Sequence, residues 1–191
     1  MNPATDSSAR LLERASVALL LVDLQAKLLP AIFESDRVIR NCRLLSSLAQ
    51  VLRLPTVLTT QYAKGLGSVV PEISSTLPEV QPFDKTSFGC FGDQEFRRRV
   101  KNLAPHANTL LVAGIETHIC VTQTVLGAIE AGYLVHVAAD ATSSRTVENW
   151  QIGLKRMERA GAVISSTEMM AYELLGRSDT PEFKAILPLI K

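Results

Sequence analysis

The stretch "TLLVAGIETHICVTQTVLGAIEAG" (residues 109–132) decides the fold. Residues 110–113 form a continuous apolar run that closes on Gly114, as expected of a strand buried on both faces of a parallel sheet. Residues 117–131 read as a helix that stops at Gly132, where a left-handed C-cap is expected. A strand running into a helix is half of a parallel crossover unit. On the first turn of that helix stands a cysteine, Cys120.

The same alternation recurs along the chain. Apolar runs appear at "VALLLVDLQ" (17–25), "LPTVLTTQY" (54–62), "YLVHVAAD" (133–140) and "GAVISS" (161–166), with a weaker one at "EVQPFDK" (79–85). Between them lie helical spacings. Residues 35–53 place Val38, Ile39, Cys42, Leu45, Leu48 and Ala49 on one face, with Ser35 or Asp36 as the expected cap. Residues 93–104 start near Asp93 and end before Pro105, and residues 146–160 stop at Gly161. This order predicts an α/β fold: three layers, α/β/α, around a mainly parallel, roughly six-stranded Rossmann-like sheet. No repeat or linker divides the chain, so one domain over 1–191 is expected. The loop at 63–77, rich in Gly, Pro and Ser, is the expected insertion over a site.

The 191 residues, 47% hydrophobic and 20% charged, suit one large core. A formal charge of +1 gives no reason to expect a nucleic-acid or membrane partner. "RRRVK" (97–101) reads as the solvated face of a helix. The start "MNPATDSSARLLERAS" lacks the pattern of a signal peptide, and the apolar run at 17–22 ends at Asp23, too short to span a bilayer. Three cysteines at irregular spacing form neither a disulfide framework nor a zinc motif, so a reducing cytoplasm is expected.

In such a sheet, ligands bind beyond the carboxyl ends of the strands. That rim collects Asp23, then Thr60, Gln61 and Tyr62, then Lys85, then residues 116–120, and Asp140. A thiol at a helix start, near an ammonium, is expected to have a lowered pKa. Asp23 is placed to take the thiol proton and pass it to a leaving group, Lys85 to hold the charges, and the backbone N–H groups near Glu116 and Cys120 to receive an oxyanion. Singly, these residues are ambiguous: Cys42 belongs to an apolar stripe, an Asp at a strand end often caps a turn, and a lysine is usually solvated. Together on one rim they read as a nucleophilic site.

"LLLVDLQ" (19–25), "DKTSFGCF" (84–91) and "VAGIETHICV" (112–121) resemble the three signature segments of the isochorismatase-like cysteine hydrolases. The resemblance runs over about 17–190. "TTQYAKGLG" (59–67) and the C-terminal "TEMMAYELLGRSDTPEFKAILPLIK" look closest to the isochorismatase domain-containing branch. The resemblance implies the triad Asp23, Lys85 and Cys120, a cis bond between Ile115 and Glu116, and Glu116 and Cys120 amides turned to the oxyanion. Metal-binding members carry an Asp-x-His segment after the second strand. Here that stretch is "TTQYAKG", so neither metal nor cofactor is expected. Members that cleave isochorismate lack the cysteine, so Cys120 implies amide or related acyl chemistry, through a thioester, on a small molecule.

Gln25, Gln61 and Tyr62 either line the pocket or stitch loops together. His118 is expected to shape the pocket or an interface, Glu116 to act through its backbone, and Cys90 to be packed or semi-exposed. Trp150, Met169 and Met170 read as core or subunit contacts. The apolar segment 183–190, with the family habit, implies a homo-oligomer. Three rival functions remain: a silent binding or scaffold protein, a nucleotide-binding domain (against which no Gly-x-Gly-x-x-Gly follows the first strand), and a redox pair of Cys90 with Cys120.

Overall fold

The computed structural model describes residues 10–190, so the first nine residues of the segment read for a targeting signal lie outside the described residues. Six strands form one sheet: β1 (Val17–Val22), β2 (Thr56–Gln61), β3 (Phe83–Lys85), β4 (Thr109–Ile115), β5 (Leu134–Ser143) and β6 (Val163–Ser165). Their order is β3-β2-β1-β4-β5-β6, with every pairing parallel. The α/β three-layer architecture read from the alternation is the one observed.

The two-residue period of β1 explains the layering. Val17, Leu19 and Leu21 enter one apolar cluster, with Leu111, Ala113 and Ile115 of β4. Ala18, Leu20 and Val22 enter the other, with Leu110 and Val112. Helices α1 (Ser35–Leu52), α7 (Thr167–Leu175) and α8 (Pro181–Ile190) cover the first face; α4 (Gln94–Leu103), α5 (Thr122–Glu130) and α6 (Val147–Arg159) cover the second. A strand buried on both faces needs apolar side chains of both parities, hence the unbroken run.

Several boundaries differ from the sequence reading. The helix expected at 117–131 is two pieces, a wide π-turn over Thr117–Val121 and then α5. α1 has no side-chain cap; Glu34 precedes it in left-handed conformation, at φ 51°. Asp93 does cap α4, accepting from the Glu95 and Phe96 amides at 2.8 and 3.3 Å. Asp140 lies inside β5, and its carboxylate accepts from the Thr167 amide and hydroxyl at 2.8 and 2.9 Å, so it holds the start of α7. The loop at 63–77 contains short helices α2 (Ala63–Leu66) and α3 (Pro71–Ser74). α8 folds back on α1 and α7 with Ile186 fully buried, so the apolar C-terminal segment is largely accounted for within its own chain.

Gly114 sits where the sheet leaves no room for a side chain. Its φ is +118°, and a Cβ there would run into the Val22 carbonyl oxygen and lie 2.6 Å from the Val22 amide nitrogen. Both obstacles are backbone, so neither rotates away. Gly114→Ala is expected to lower stability by at least about 3 kcal/mol, read as the urea midpoint. A midpoint within experimental error of the parent would show that β1 and β4 do not approach this closely.

Candidate active site

The strand order makes the site. Connections from β1 lead to one side of the sheet and those around β4 to the other, so the strand order reverses between β1 and β4, and in such sheets ligands bind beyond the carboxyl ends at that point. Asp23 follows β1 directly, and the segment carrying Cys120 follows β4. Lys85 ends β3, two strands from β1, and its long side chain bridges the gap.

Asp23 adopts a left-handed φ of 52°, a conformation aspartate tolerates better than most residues. The turn aims its carboxylate inward. Oδ2 accepts from Lys85 Nζ at 2.7 Å, and both side chains are fully buried. Oδ1 accepts from the Thr59 hydroxyl at 2.6 Å, and Thr59 Oγ1 in turn accepts from the Asp23 amide at 3.3 Å. Lys85 Nζ donates a second bond to Gln61 Oε1, at 2.8 Å. Thr59 and Gln61 are two apart on β2, so both face this cluster. Thr60, of opposite parity, donates to Asp84 at 2.9 Å.

Cys120 sits in the π-turn, where the Val121 amide reaches back five residues to the Glu116 carbonyl at 3.1 Å. Such wide turns recur at functional sites. The peptide bond between Ile115 and Glu116 is cis. Gly153 of α6 lets that helix press against the turn; a Cβ there would lie 3.0 Å from the Thr117 methyl and 3.1 Å from the His118 amide nitrogen.

The thiol is not the low-pKa group expected from its helix-start position. Burial first and the Asp23 charge second push Cys120 up to about 12, and Lys85 lowers it less than these two together raise it. The reason is geometric: the ammonium is engaged with the Asp23 carboxylate, so the thiol feels a nearly neutralised pair from inside a desolvated pocket. Only 7% of Cys120 is exposed. The resting group is therefore S–H beside a carboxylate. Cys90 is fully buried and feels both Lys85 and Asp23; burial pushes it up to about 11.

Gln25 is fully buried and its amide is saturated by main chain: Nε2 donates to the Gln61 and Gly67 carbonyls at 3.2 and 2.7 Å, and Oε1 accepts from the Gln61 amide at 2.7 Å. It stitches the 63–77 loop to β2, the second of its two sequence readings. Tyr62 is half-exposed at the rim. His118 turns from the sulfur to Ser144, with Nδ1 2.9 Å from Oγ and its amide donating to the same oxygen at 3.3 Å. The Glu116 side chain has a role of its own, accepting from the Arg145 amide and Nε at 2.9 and 3.1 Å. Trp150 lies 6.4 Å from Phe33 between ring centroids and carries the Arg37 guanidinium over its face. Met170 is core and Met169 exposed.

Thr59, Ser144 and Arg145 escaped the sequence reading. Thr59 was findable, since it shares the parity of Gln61; Ser144 and Arg145 depend on where β5 ends relative to β4, which a single sequence does not encode locally. Among the described residues, no cluster of three His, Cys, Asp or Glu side chains is placed to hold a metal, and no helix is long and apolar enough to cross a membrane.

Comparison with known proteins gives a consistent result. The isochorismatase domain model matches residues 17–169. The secreted isochorismatase effector Isc1 of Phytophthora sojae is 39% identical over 194 residues, covering all of this chain and 91% of that protein. Isochorismatase domain-containing protein 2 of Bos taurus is 34% identical, covering 100% and 90%. Among solved structures, the MAR1 ribonuclease of Caenorhabditis elegans superposes with TM-score 0.88 at 35% identity, covering 95% of this chain and 92% of that one. The YcaC gene product of Escherichia coli, described as an octameric hydrolase of unknown specificity, gives 0.87 at 30%, covering 94% and 89%.

The raised thiols set an alkaline limit on stability. The folded chain keeps protons on Cys90 and Cys120, and on Cys42 even more strongly, at pH values where the unfolded chain releases them near 8.5. Unfolding therefore sheds protons above that pH, and stability falls as pH rises from about 8.5 to 11, by up to about 1.4 kcal/mol per pH unit for each thiol. Urea midpoints between pH 8 and 10.5 are expected to decline, and less steeply in Cys42→Ala. Equal slopes for parent and variant would show that burial does not hold the Cys42 proton.

Proposed function

The chain belongs to the isochorismatase family, and from that premise we propose that it is a cysteine hydrolase that cleaves a small amide, or a related acyl compound, without a cofactor. The observation that carries the reading is the buried Asp23–Lys85 pair, with Asp23 Oδ2 at 2.7 Å from Lys85 Nζ, set beside the Cys120 thiol. Because that thiol rests protonated against Asp23, the nucleophile forms as it is used. The S–H proton passes to Asp23 while sulfur attacks the carbonyl carbon. The Glu116 and Cys120 amides receive the oxyanion, and the leaving amine takes the proton from Asp23 as the C–N bond breaks. Water then attacks the thioester, gives a proton to Asp23, and releases the acid; the proton returns to sulfur. The balance is amide plus water to acid plus amine. Lys85 holds the Asp23 carboxylate in place throughout.

The described fold supports a single domain of this kind. The octameric relative supports a homo-oligomer, and three unpaired cysteines support a reducing compartment such as the cytoplasm. The Phytophthora sojae relative is named as secreted. The ribonuclease name of the nematode relative finds little support in this chain's charge of +1. In the basic run, Arg97 and Arg99 bond the carbonyls of Phe91 and Gln81. A second reading, a silent binding protein, is favoured by the small exposure and high pKa of Cys120.

Intact-mass analysis after mixing with a panel of small amides decides between them. An acyl adduct on Cys120 that appears and then clears, with ammonia or amine released, is expected. Cys120→Ala abolishes both, and Asp23→Asn slows them by about 10²–10⁴-fold. Turnover that survives in Cys120→Ala would end the cysteine reading; no adduct with any amide would leave the silent binder in front.

A further inference from the structure

Gln61 is held more firmly than a pocket-lining residue needs to be. The β2–β3 register sets it directly opposite Lys85. Its Oε1 accepts from Lys85 Nζ at 2.8 Å, and its Nε2 donates to the Thr86 carbonyl at 2.9 Å. A carbonyl oxygen only accepts, so the NH₂ end of the amide must face Thr86 and the oxygen must face the ammonium. Its main chain is clamped as well: Gln25 takes the Gln61 N–H at 2.7 Å and gives a hydrogen to its carbonyl at 3.2 Å. Neither the position nor the polarity of this amide is free.

We infer that Gln61 is a positioning residue for Lys85 at the nucleophilic site, an inference that rests on the cysteine-hydrolase reading above. An ammonium has three hydrogens. With one on Asp23 at 2.7 Å and one on Gln61 at 2.8 Å, the third has a single direction left to it. The neutrality of the amide matters as much as its reach. It satisfies the ammonium without cancelling its charge, so that charge still acts on Asp23 and on the sulfur. A carboxylate in the same place would add a second negative group beside a thiol that Asp23 already raises. An apolar side chain of the same length would leave the ammonium free to swing from its place beside the thiol. Thr59 does the matching work on the other carboxylate oxygen, at 2.6 Å, so β2 supplies one fixed partner to each member of the ion pair.

The test is the rate of Cys120 alkylation by iodoacetamide as a function of pH, located by peptide mass mapping, in Gln61→Glu and Gln61→Met, with Lys85→Ala and Asp23→Asn beside them. Thermal melting of each variant reports the fold. With melting points close to the parent, both Gln61 variants are expected to move the rate curve to higher pH. Gln61→Glu moves it by about one unit, so that alkylation at pH 9 slows about tenfold; Gln61→Met moves it less. If Gln61→Met does not fold, Gln61→Glu decides alone. A shift in Lys85→Ala with none in either Gln61 variant overturns the positioning role and leaves the triad standing. Curves unmoved in Lys85→Ala and Asp23→Asn overturn the triad reading, and the role of Gln61 falls with it.

Discussion

Taking a carboxylate and an ammonium out of water together, as at Asp23 and Lys85, costs several kcal/mol per ion before any partner is counted. Neither side chain is exposed, so the surrounding chain has to supply what water would have given. It does so from three strands: β1 delivers Asp23, β3 delivers Lys85, and β2 between them provides the Thr59 hydroxyl and the side-chain amide oxygen of Gln61. This is why β3, three residues long, must pair in one register and no other. A slip of one residue would turn Lys85 to the opposite face and leave Asp23 as a lone buried charge. The same demand fits the left-handed turn at Asp23, whose carboxylate reaches both Thr59 and Lys85.

With its charges paired so closely, the site stores no thiolate. Desolvation raises the thiol most, and the attraction that Lys85 offers the sulfur is offset by the carboxylate it is bonded to, which keeps Cys120 protonated at neutral pH. A reactive cysteine more often advertises itself by a depressed pKa in an electropositive, accessible place. On the mechanism proposed above, reactivity belongs to the cluster, since the group proposed as base adds to the rise that burial imposes on the resting thiol. A closed, protonated thiol is also shielded from adventitious oxidants and alkylating agents, because these attack the anion.

Much of this was legible in the sequence, and for identifiable reasons. β1 and β4 are buried on both faces, and the unbroken apolar runs "VALLLV" and "TLLVAGI", alternating with helical spacings, are what a covered parallel sheet calls for. From the strand ends, Asp23, Lys85 and Cys120 followed, and the structure brings the first two into contact and the third beside them. What could not be read were quantities set by three-dimensional competition. The sulfur was expected to be acidic because a helix start and a lysine are local features, whereas burial and the carboxylate that claims the lysine are not. Asp140 reads as a rim residue because its apolar run ends there; β5 runs on to Ser143 and the carboxylate serves α7 instead. Gln25 and Gln61 looked equivalent, two glutamines at two strand ends. Only the contacts separate a stitch between loops from a partner of the ion pair.

The wide turn between Glu116 and Val121 closes over five residues where an ordinary helical turn closes over four. Dropping any one residue there would restore the common geometry and carry the sulfur about 100° around the helix axis, away from Asp23. Length variation in this chain is therefore channelled. A loop such as 63–77 has room to lengthen or shorten, while the segment from Gly114 to Cys120 is held to its residue count by this turn. Among descendants of such a chain, chemistry would be inherited through spacing and selectivity through insertions.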